Sequence, residues 1–430
     1  MSRGRSAWLV ALLAFAVYVA PLRNPGSADT FPATFLPLSI LGDGNLDFNE
    51  FVCPDDASTG RAIAYDPQRC LAPLPYYFGL HDGRVVSTYP IVAGLMNLPV
   101  HLVARAVGVN PVRARSQLAL VTAAATTAMA VAMLMLVLVR LDFQPRTVLL
   151  TGLTFAFGTL AWSSSGVSLW QHGPSLLWIA LALFALLHEN RRGLVYAGLF
   201  LGLAVWTRPT NVLLALPLAL WALRRHPEHR LAMMAAAALP LAAMALYSQF
   251  MLGSVTALGQ GQSMRVGAEP WWALVGVLFS PGRGLFVYSP VLLLGLLALP
   301  RAWGESAPHP IIRPLLLGTA GIVGVHALWA IWWGGHSFGY RLLTEALPAM
   351  LILTAAAWEW MLEGRRLRMA LAGALLMWSV AANALGALVA PCGFDTEPDY
   401  LDTNPARLWS LRDTELARCA RRVLAGPERR

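Results

Sequence analysis

The chain contains no lysine: all 32 basic residues are arginine. Charge of either sign is scarce. Only 13% of the 430 residues are charged, against roughly a quarter in a soluble domain. Hydrophobic residues make up 57% and the mean hydropathy is +0.56. That composition excludes a water-soluble globular fold. It describes an all-α polytopic membrane protein, one compact transmembrane unit of about ten spans. Internal repeats, a Gly/Ser linker and a nucleotide-binding fingerprint are also missing. Gly42, Asp43 and Gly44 form a "GDG" without the strand–loop–helix context of a phosphate loop. No His/Cys group has metal-ligand spacing, and His226 and His229 read as solvated loop residues.

The missing lysine reflects a GC-rich genome rather than chemistry. The formal net charge of +9 does not point to nucleic acid, because the arginines sit mostly in short loops between apolar runs. There they orient spans by the positive-inside rule. Eleven runs are long enough to be spans, near residues 7–22, 117–139, 147–163, 174–187, 194–206, 210–223, 231–252, 286–299, 315–333, 343–361 and 369–389. The first follows MSRGR and has the form of a secretory signal peptide or a retained signal anchor; the anchor is preferred, since Pro21 directly follows the only small-residue cleavage point.

Residues 89–107 are apolar but carry Pro90, Asn97, Pro99, His101 and Arg105. Placing them in the interface puts fourteen arginines, from Arg3 to Arg368, on one side in six short segments. The opposite short loops then hold only Arg208, Arg265, Arg283 and Arg341. The expected organisation is a transmembrane domain over 1–389, with a first extracytoplasmic loop over about 23–116, and an extracytoplasmic tail over 390–430. All four cysteines fall in those two external segments. Cys53–Cys70 and Cys392–Cys419 are the local pairings, each contributing about 3 kcal/mol in the chain-entropy model. Free thiols are the alternative.

Polar residues gather on the external face. They are Asp29, Asp43, Asp47 and Glu50, then "WQHGP" with His172, "TRPTN" with Arg208, "SPGRGLFVYSP" with Arg283, and "WWGGHSFGYRLLTEALP" with His336, Arg341 and Glu345. Arginine forks suit phosphate oxygens. Carboxylates suit deprotonation of a hydroxyl or a bound cation, and Trp and Tyr suit a sugar ring or a lipid headgroup zone. In "DTFPATFLPLSIL", Phe31, Phe35, Leu38 and Leu41 share a helical face, with Asp29 as N-cap and Pro32 in the first turn. Asp29 as a cap alone, without chemistry, is the bland alternative. Asp43 reads as a turn residue, Asp47 and Glu50 as either solvated surface or substrate contacts, and Glu345 as a partner of Arg341 four residues before it.

These motifs, together with "VVSTYP" ending at Tyr89 and Pro90, resemble the GT-C superfamily of membrane glycosyltransferases. The resemblance is to the group of protein O-mannosyltransferases and the aminoarabinose transferase, in a bacterial branch. It implies a GT-C-like bundle of about 11 transmembrane helices with interfacial helices in the first loop. It also implies inverting transfer of a sugar from a polyprenyl-phosphate donor to an extracytoplasmic lipid, glycan or protein acceptor, in the bacterial inner membrane. Asp29 takes the family's base or acceptor-positioning role. Arg341 is the first choice for the phosphate, with Arg283 and Arg208 behind it. His172, His336, Asp47, Glu50 and Tyr89 complete the expected substrate contacts. Where relatives carry a second acidic residue, "WQHGP" offers His172 instead, which leaves a divalent cation an open question. Two other classes stay in view. A transporter or flippase of a lipid-linked solute would show inverted repeats and polar span centres. An inactive scaffold would show neither chemistry.

Overall fold

The computed structural model describes residues 3–56, 58–257, 265–304, 309–364 and 366–425. Arg365, one of the loop arginines, lies outside them. The helices in chain order are α1 (Arg3–Val19), α2 (Phe31–Gly42), α3 (Val92–Ala106), α4 (Arg115–Arg140), α5 (Pro145–Phe157), α6 (His172–Leu186), α7 (Arg191–Thr207) and α8 (Val212–Arg225). They continue with α9 (Arg230–Leu252), α10 (Pro270–Phe279), α11 (Leu285–Tyr288), α12 (Leu293–Trp303), α13 (Ile312–Leu328), α14 (Leu347–Leu362), α15 (Arg366–Leu388) and α16 (Glu415–Ala425). Among the described residues, four segments are long and apolar enough to cross a membrane by length and composition. They are Arg115–Arg140, Pro227–Leu252, Arg341–Leu362 and Arg366–Leu388. The other apolar helices are shorter. The chain is a multi-pass membrane protein.

Several runs that read as unbroken spans are interrupted, each for a local reason. The run at 286–299 divides into α11 and α12, because Pro290 lacks an N–H and biases Ser289 out of the helical region. The run at 147–163 leaves α5 at Gly158 and continues as a π-turn, Ala161–Ser165. π-Turns frequently mark functional sites. The apolar helix α10 is absent from the eleven runs. At ten residues it is too short to register as a span.

Packing between α7 and α9 depends on glycines four residues apart. A Cβ at Gly198 would lie 2.3 Å from the Met233 carbonyl oxygen, and one at Gly202 would lie 2.5 Å from Pro240. Only small residues let two helices approach this closely in a lipid environment. The end of α15 is held differently. Its last carbonyls have no intrahelical partner. Arg23 donates to Leu388, Val389 and Ala390 at 2.5, 3.1 and 2.6 Å, placing a cation at the negative end of the helix dipole.

The first loop is a compact unit with one feature outside the all-α reading. Strands β1 (Phe78–His81) and β2 (Arg84–Ser87) form an antiparallel hairpin. Asp82 and Gly83 both have positive φ, as a two-residue Asp-Gly hairpin turn requires. Asn49 ties the hairpin to its surroundings, donating to the carbonyls of Ile63 and Gly83 and accepting from the Val85 N–H. Cys53 is joined to Cys70. The apolar face expected of α2 is partly engaged with protein. Phe31 stacks on Phe35 with centroids 3.8 Å apart; Phe31 packs on Tyr77 and Phe78, and Phe35 on Phe51.

Asp29 does not cap α2. It lies inside a 3₁₀ turn, Ala28–Thr30, whose N-cap is Ser27 in a capping box with Thr30. Thr30 stands at the N-cap position of α2 itself. Helix α3 has 15 residues, fewer than the roughly 20 a span needs. It buries Asn97 and His101 while leaving Leu102 and Val103 exposed. Asn97 accepts from Thr122 of α4 at 2.8 Å and donates to the Ala33 carbonyl of α2 at 3.3 Å.

The last segment folds back on the bundle. Cys392 is joined to Cys419, and Arg418 makes a two-pronged pair with Asp413 at 2.6 and 2.8 Å. Trp409 stacks on Trp272 of α10 at 4.2 Å. Replacing both Cys392 and Cys419 by Ser should cost the tail about 3 kcal/mol. The expected readout is earlier protease cleavage within the tail than within the bundle. Equal resistance of the two proteins would refute a stabilising role for the bridge.

Candidate active site

A cavity of about 760 Å³ opens among the 3₁₀ turn of Asp29, the π-turn, the start of α6, the end of α7, the "WWGGHS" loop and the tail. At its wall, Arg341 donates to Asp29 Oδ2 at 2.9 Å. Its other terminal nitrogen donates to the Gly334 carbonyl at 2.6 Å, and its guanidinium lies 3.9 Å from the centre of the Trp170 ring. Gly334 and Gly335 have positive φ, +80° and +67°, a conformation glycine adopts without strain. Tyr76 donates to Asp29 Oδ1 at 2.5 Å, and Tyr89 lines the same cavity and interacts electrostatically with this carboxylate.

Burial alone would raise the Asp29 pKa. The Arg341 charge and the Tyr76 and Tyr89 hydroxyls outweigh it and hold the carboxyl below its ordinary range. The same contact, with burial as the larger cause, pushes both tyrosine hydroxyls above their ordinary range. The folded-state pKa of Asp29 is depressed, so its stabilisation is present above the unfolded value and lost as pH falls through the folded one. The stability difference between wild type and Asp29→Asn should therefore be flat above about pH 5 and shrink at lower pH. Thermal unfolding midpoints test this. A difference already shrinking between pH 7 and 6 would contradict the pairing.

A second charged group lies beside the first. Arg208 caps the end of α7 and donates to Glu345 Oε2 at 2.7 Å. His172, at the start of α6, places Nδ1 2.8 Å from Glu345 Oε1. Arg208 also donates to His326 Nε2 at 3.0 Å, while His326 Nδ1 faces the Ile322 carbonyl at 2.8 Å. All four side chains are buried. Glu345 thus pairs with Arg208 and His172, not with Arg341 as the i, i+4 spacing implied. The turn Arg341–Ala346 is a 3₁₀ helix, which directs residues four apart to different sides.

Arg283 is placed elsewhere. Its guanidinium is 1% exposed and is held by Asp395 and Glu415 of the tail, with Phe394 on its face. Both terminal nitrogens are used within the protein, so this arginine anchors the tail. His336 lines the cavity, 3.4 Å from Asp402. Asp47 and Glu50 do not line it. Burial raises the pKa of both, and Asp43 adds to this by like-charge repulsion. They form a separate acidic group beyond α2, where Asp43 is the C-cap and Gly44 makes the turn.

Sequence reasoning missed Tyr76, Asp395, Asp402 and Glu415 as neighbours of this region. "PYYF" and the tail acids carry no local signal of it. The partners around Asp29 are hydrogen-bond donors rather than additional metal-type ligands. Among the described residues, no group of three or more His, Cys, Asp or Glu side chains is placed to hold a metal ion.

The long helices, the helix-bearing first loop and the bundle around the cavity make a fold shared with solved transferases. Among solved structures, ArnT from Cupriavidus metallidurans bound to undecaprenyl phosphate matches with a TM-score of 0.53 at 15% identity, covering 89% of this chain and 64% of that one. The same protein in the apo state matches at 0.55 and 13%, covering 93% and 66%. The Archaeoglobus fulgidus oligosaccharyltransferase in the apo form matches at 0.55 and 12%, covering 96% and 60%. The likeness is one of fold, and the chain spans about two thirds or less of each neighbour's length. No family model and no curated protein matches.

Proposed function

We propose that the chain is an integral-membrane glycosyltransferase that moves a sugar from a polyprenyl-phosphate donor to an extracytoplasmic acceptor. The observation that carries the reading is the Asp29–Arg341 pair on the wall of a 760 Å³ cavity. The fold that holds it is shared with a protein whose structure contains undecaprenyl phosphate. In this reading residues 1–389 form the transmembrane domain, 390–430 an external tail, and the cavity faces out of the bacterial inner membrane. The fourteen arginines gathered in short segments on the other side and cystine in the external segments support that orientation.

The reaction is an inverting displacement. The acceptor hydroxyl oxygen bonds to the anomeric carbon, and the bond from that carbon to the phosphate oxygen breaks. Polyprenyl phosphate leaves with the electron pair, and the acceptor proton passes to Asp29. At rest Arg341 holds Asp29 as a stable anion, which makes it a weak base. A donor phosphate competes for the Arg341 fork. Moving that charge from the carboxylate to the phosphate strengthens the base and stabilises the leaving group in one step. Arg208 adds positive potential in the same cavity, tempered by Glu345. The reading routes no step through a metal.

The test is incubation of the purified protein with a panel of polyprenyl-phosphate sugars, with products followed by mass spectrometry. Release of polyprenyl phosphate with a glycosylated acceptor is expected. Translocation of the intact lipid across a vesicle bilayer without transfer would overturn the reading in favour of a flippase.

A further inference from the structure

We infer that residues 333–337 and the tail residues Tyr400 and Asp402 form a carbohydrate subsite for the acceptor, which is therefore a hydroxyl-bearing glycan. The inference rests on the transferase reading and adds the acceptor's chemical class.

The site is built from two distant parts of the chain. Trp333 Nε1 donates to Asp402 Oδ1 at 3.0 Å, and Asp402 Oδ2 lies 3.4 Å from His336 Nε2. The His336 ring lies nearly parallel to the Tyr400 ring, at 15° with centroids 6.0 Å apart. His336, Tyr400 and Asp402 all keep substantial exposure. His336 and Asp402 line the cavity that contains Asp29. The tail is held in place there by the Cys392–Cys419 bridge and by the two carboxylates on Arg283.

An independent observation points to a ligand. Ser337 is only 9% exposed, lines the same cavity, and its hydroxyl has no hydrogen-bond partner. Ser164, on the π-turn, is 4% exposed, lines the same cavity and likewise has an unpartnered hydroxyl. Buried hydroxyls are normally paired, and leaving one unpaired is costly. Turned toward the cavity, these side chains come within reach of a ligand rich in hydroxyls, which supplies the missing partners.

The chemistry selects a sugar. A carboxylate accepts from hydroxyls, an imidazole and serine hydroxyls both donate and accept, and an aromatic face packs on the C–H face of a pyranose. Asp402 also selects against an anionic group at this point, which assigns the phosphate to the arginines and leaves this subsite to the acceptor.

The test uses methyl glycosides of mannose, glucose, galactose and arabinose as probes, with the purified full chain and saturation-transfer NMR. At least one glycoside should bind wild type and also Asp29→Asn. Binding should weaken about tenfold or more in Asp402→Asn and in His336→Ala. Intact mass under non-reducing conditions confirms that each variant keeps its disulfides. Undecaprenyl phosphate retention, read by native mass spectrometry, should be kept in Asp402→Asn. The inference is overturned if no glycoside binds, if binding survives both substitutions, or if Asp402→Asn loses the lipid phosphate instead. Glycoside binding without any sugar transfer from the donor panel would overturn the transferase reading and leave the glycoside subsite standing.

Discussion

Asp29→Asn should lower sugar transfer about 10²–10⁴-fold, the usual contribution of a positioned general base. The substitution is nearly isosteric, and the amide oxygen still accepts from Tyr76. Arg341 keeps the Gly334 carbonyl and the Trp170 face when the carboxylate is gone. The variant should therefore fold and still bind the lipid phosphate, with the loss confined to turnover. Asp43→Asn, in the same loop but outside the cavity wall, is the comparison and should transfer normally. Full activity in Asp29→Asn, measured on the donor panel, would remove Asp29 as the base. A variant that fails to express would direct the test to Tyr76→Phe. That change takes one hydrogen bond from the carboxylate and should alter the rate modestly without removing it.

The membrane class, the helix-bearing first loop, and Asp29 and Arg341 as separate residues of note were legible because each has a strong local signal. Long apolar runs, an acidic residue at a membrane edge and an arginine in a glycine- and aromatic-rich loop all stand out against a chain so poor in charge. Pairing was less legible. Arg208, Arg283 and Arg341 look alike as single residues in short loops between apolar runs, yet the structure gives them different partners. Arg283 is closed off by Asp395 and Glu415, more than a hundred residues later. Arg208 meets Glu345 across 137 residues. Arg341 meets Asp29 across 312. Helical spacing pointed Glu345 towards Arg341, and the 3₁₀ geometry of that turn reversed the outcome. The four carboxylates of the first loop divide for a similar reason. Asp29 precedes α2 and faces the cavity, whereas Asp43, Asp47 and Glu50 follow α2, at the far end of its twelve residues.

Glu345→Gln should be among the most destabilising substitutions in the chain, by about 3–5 kcal/mol, the cost of removing one partner from a buried ion pair. Glu345 is fully buried and Arg208 nearly so. Without the carboxylate, Arg208 faces His172 and His326, which cannot neutralise it. The double variant Arg208→Met, Glu345→Leu should recover much of that loss, because apolar replacement of both partners removes the stranded charge. Thermal midpoints of the two singles and the double measure the coupling. Additive effects would mean that the pair does not act as a unit. The site reading sharpens this expectation. In Glu345→Gln the freed guanidinium sits in a cavity proposed to receive a phosphate, so an anion can take the place of the lost carboxylate. Undecaprenyl phosphate should therefore raise the midpoint of Glu345→Gln more than that of wild type, by mass action on the folded state. An equal or smaller rise would separate Arg208 from the phosphate and leave Arg341 as its cationic partner.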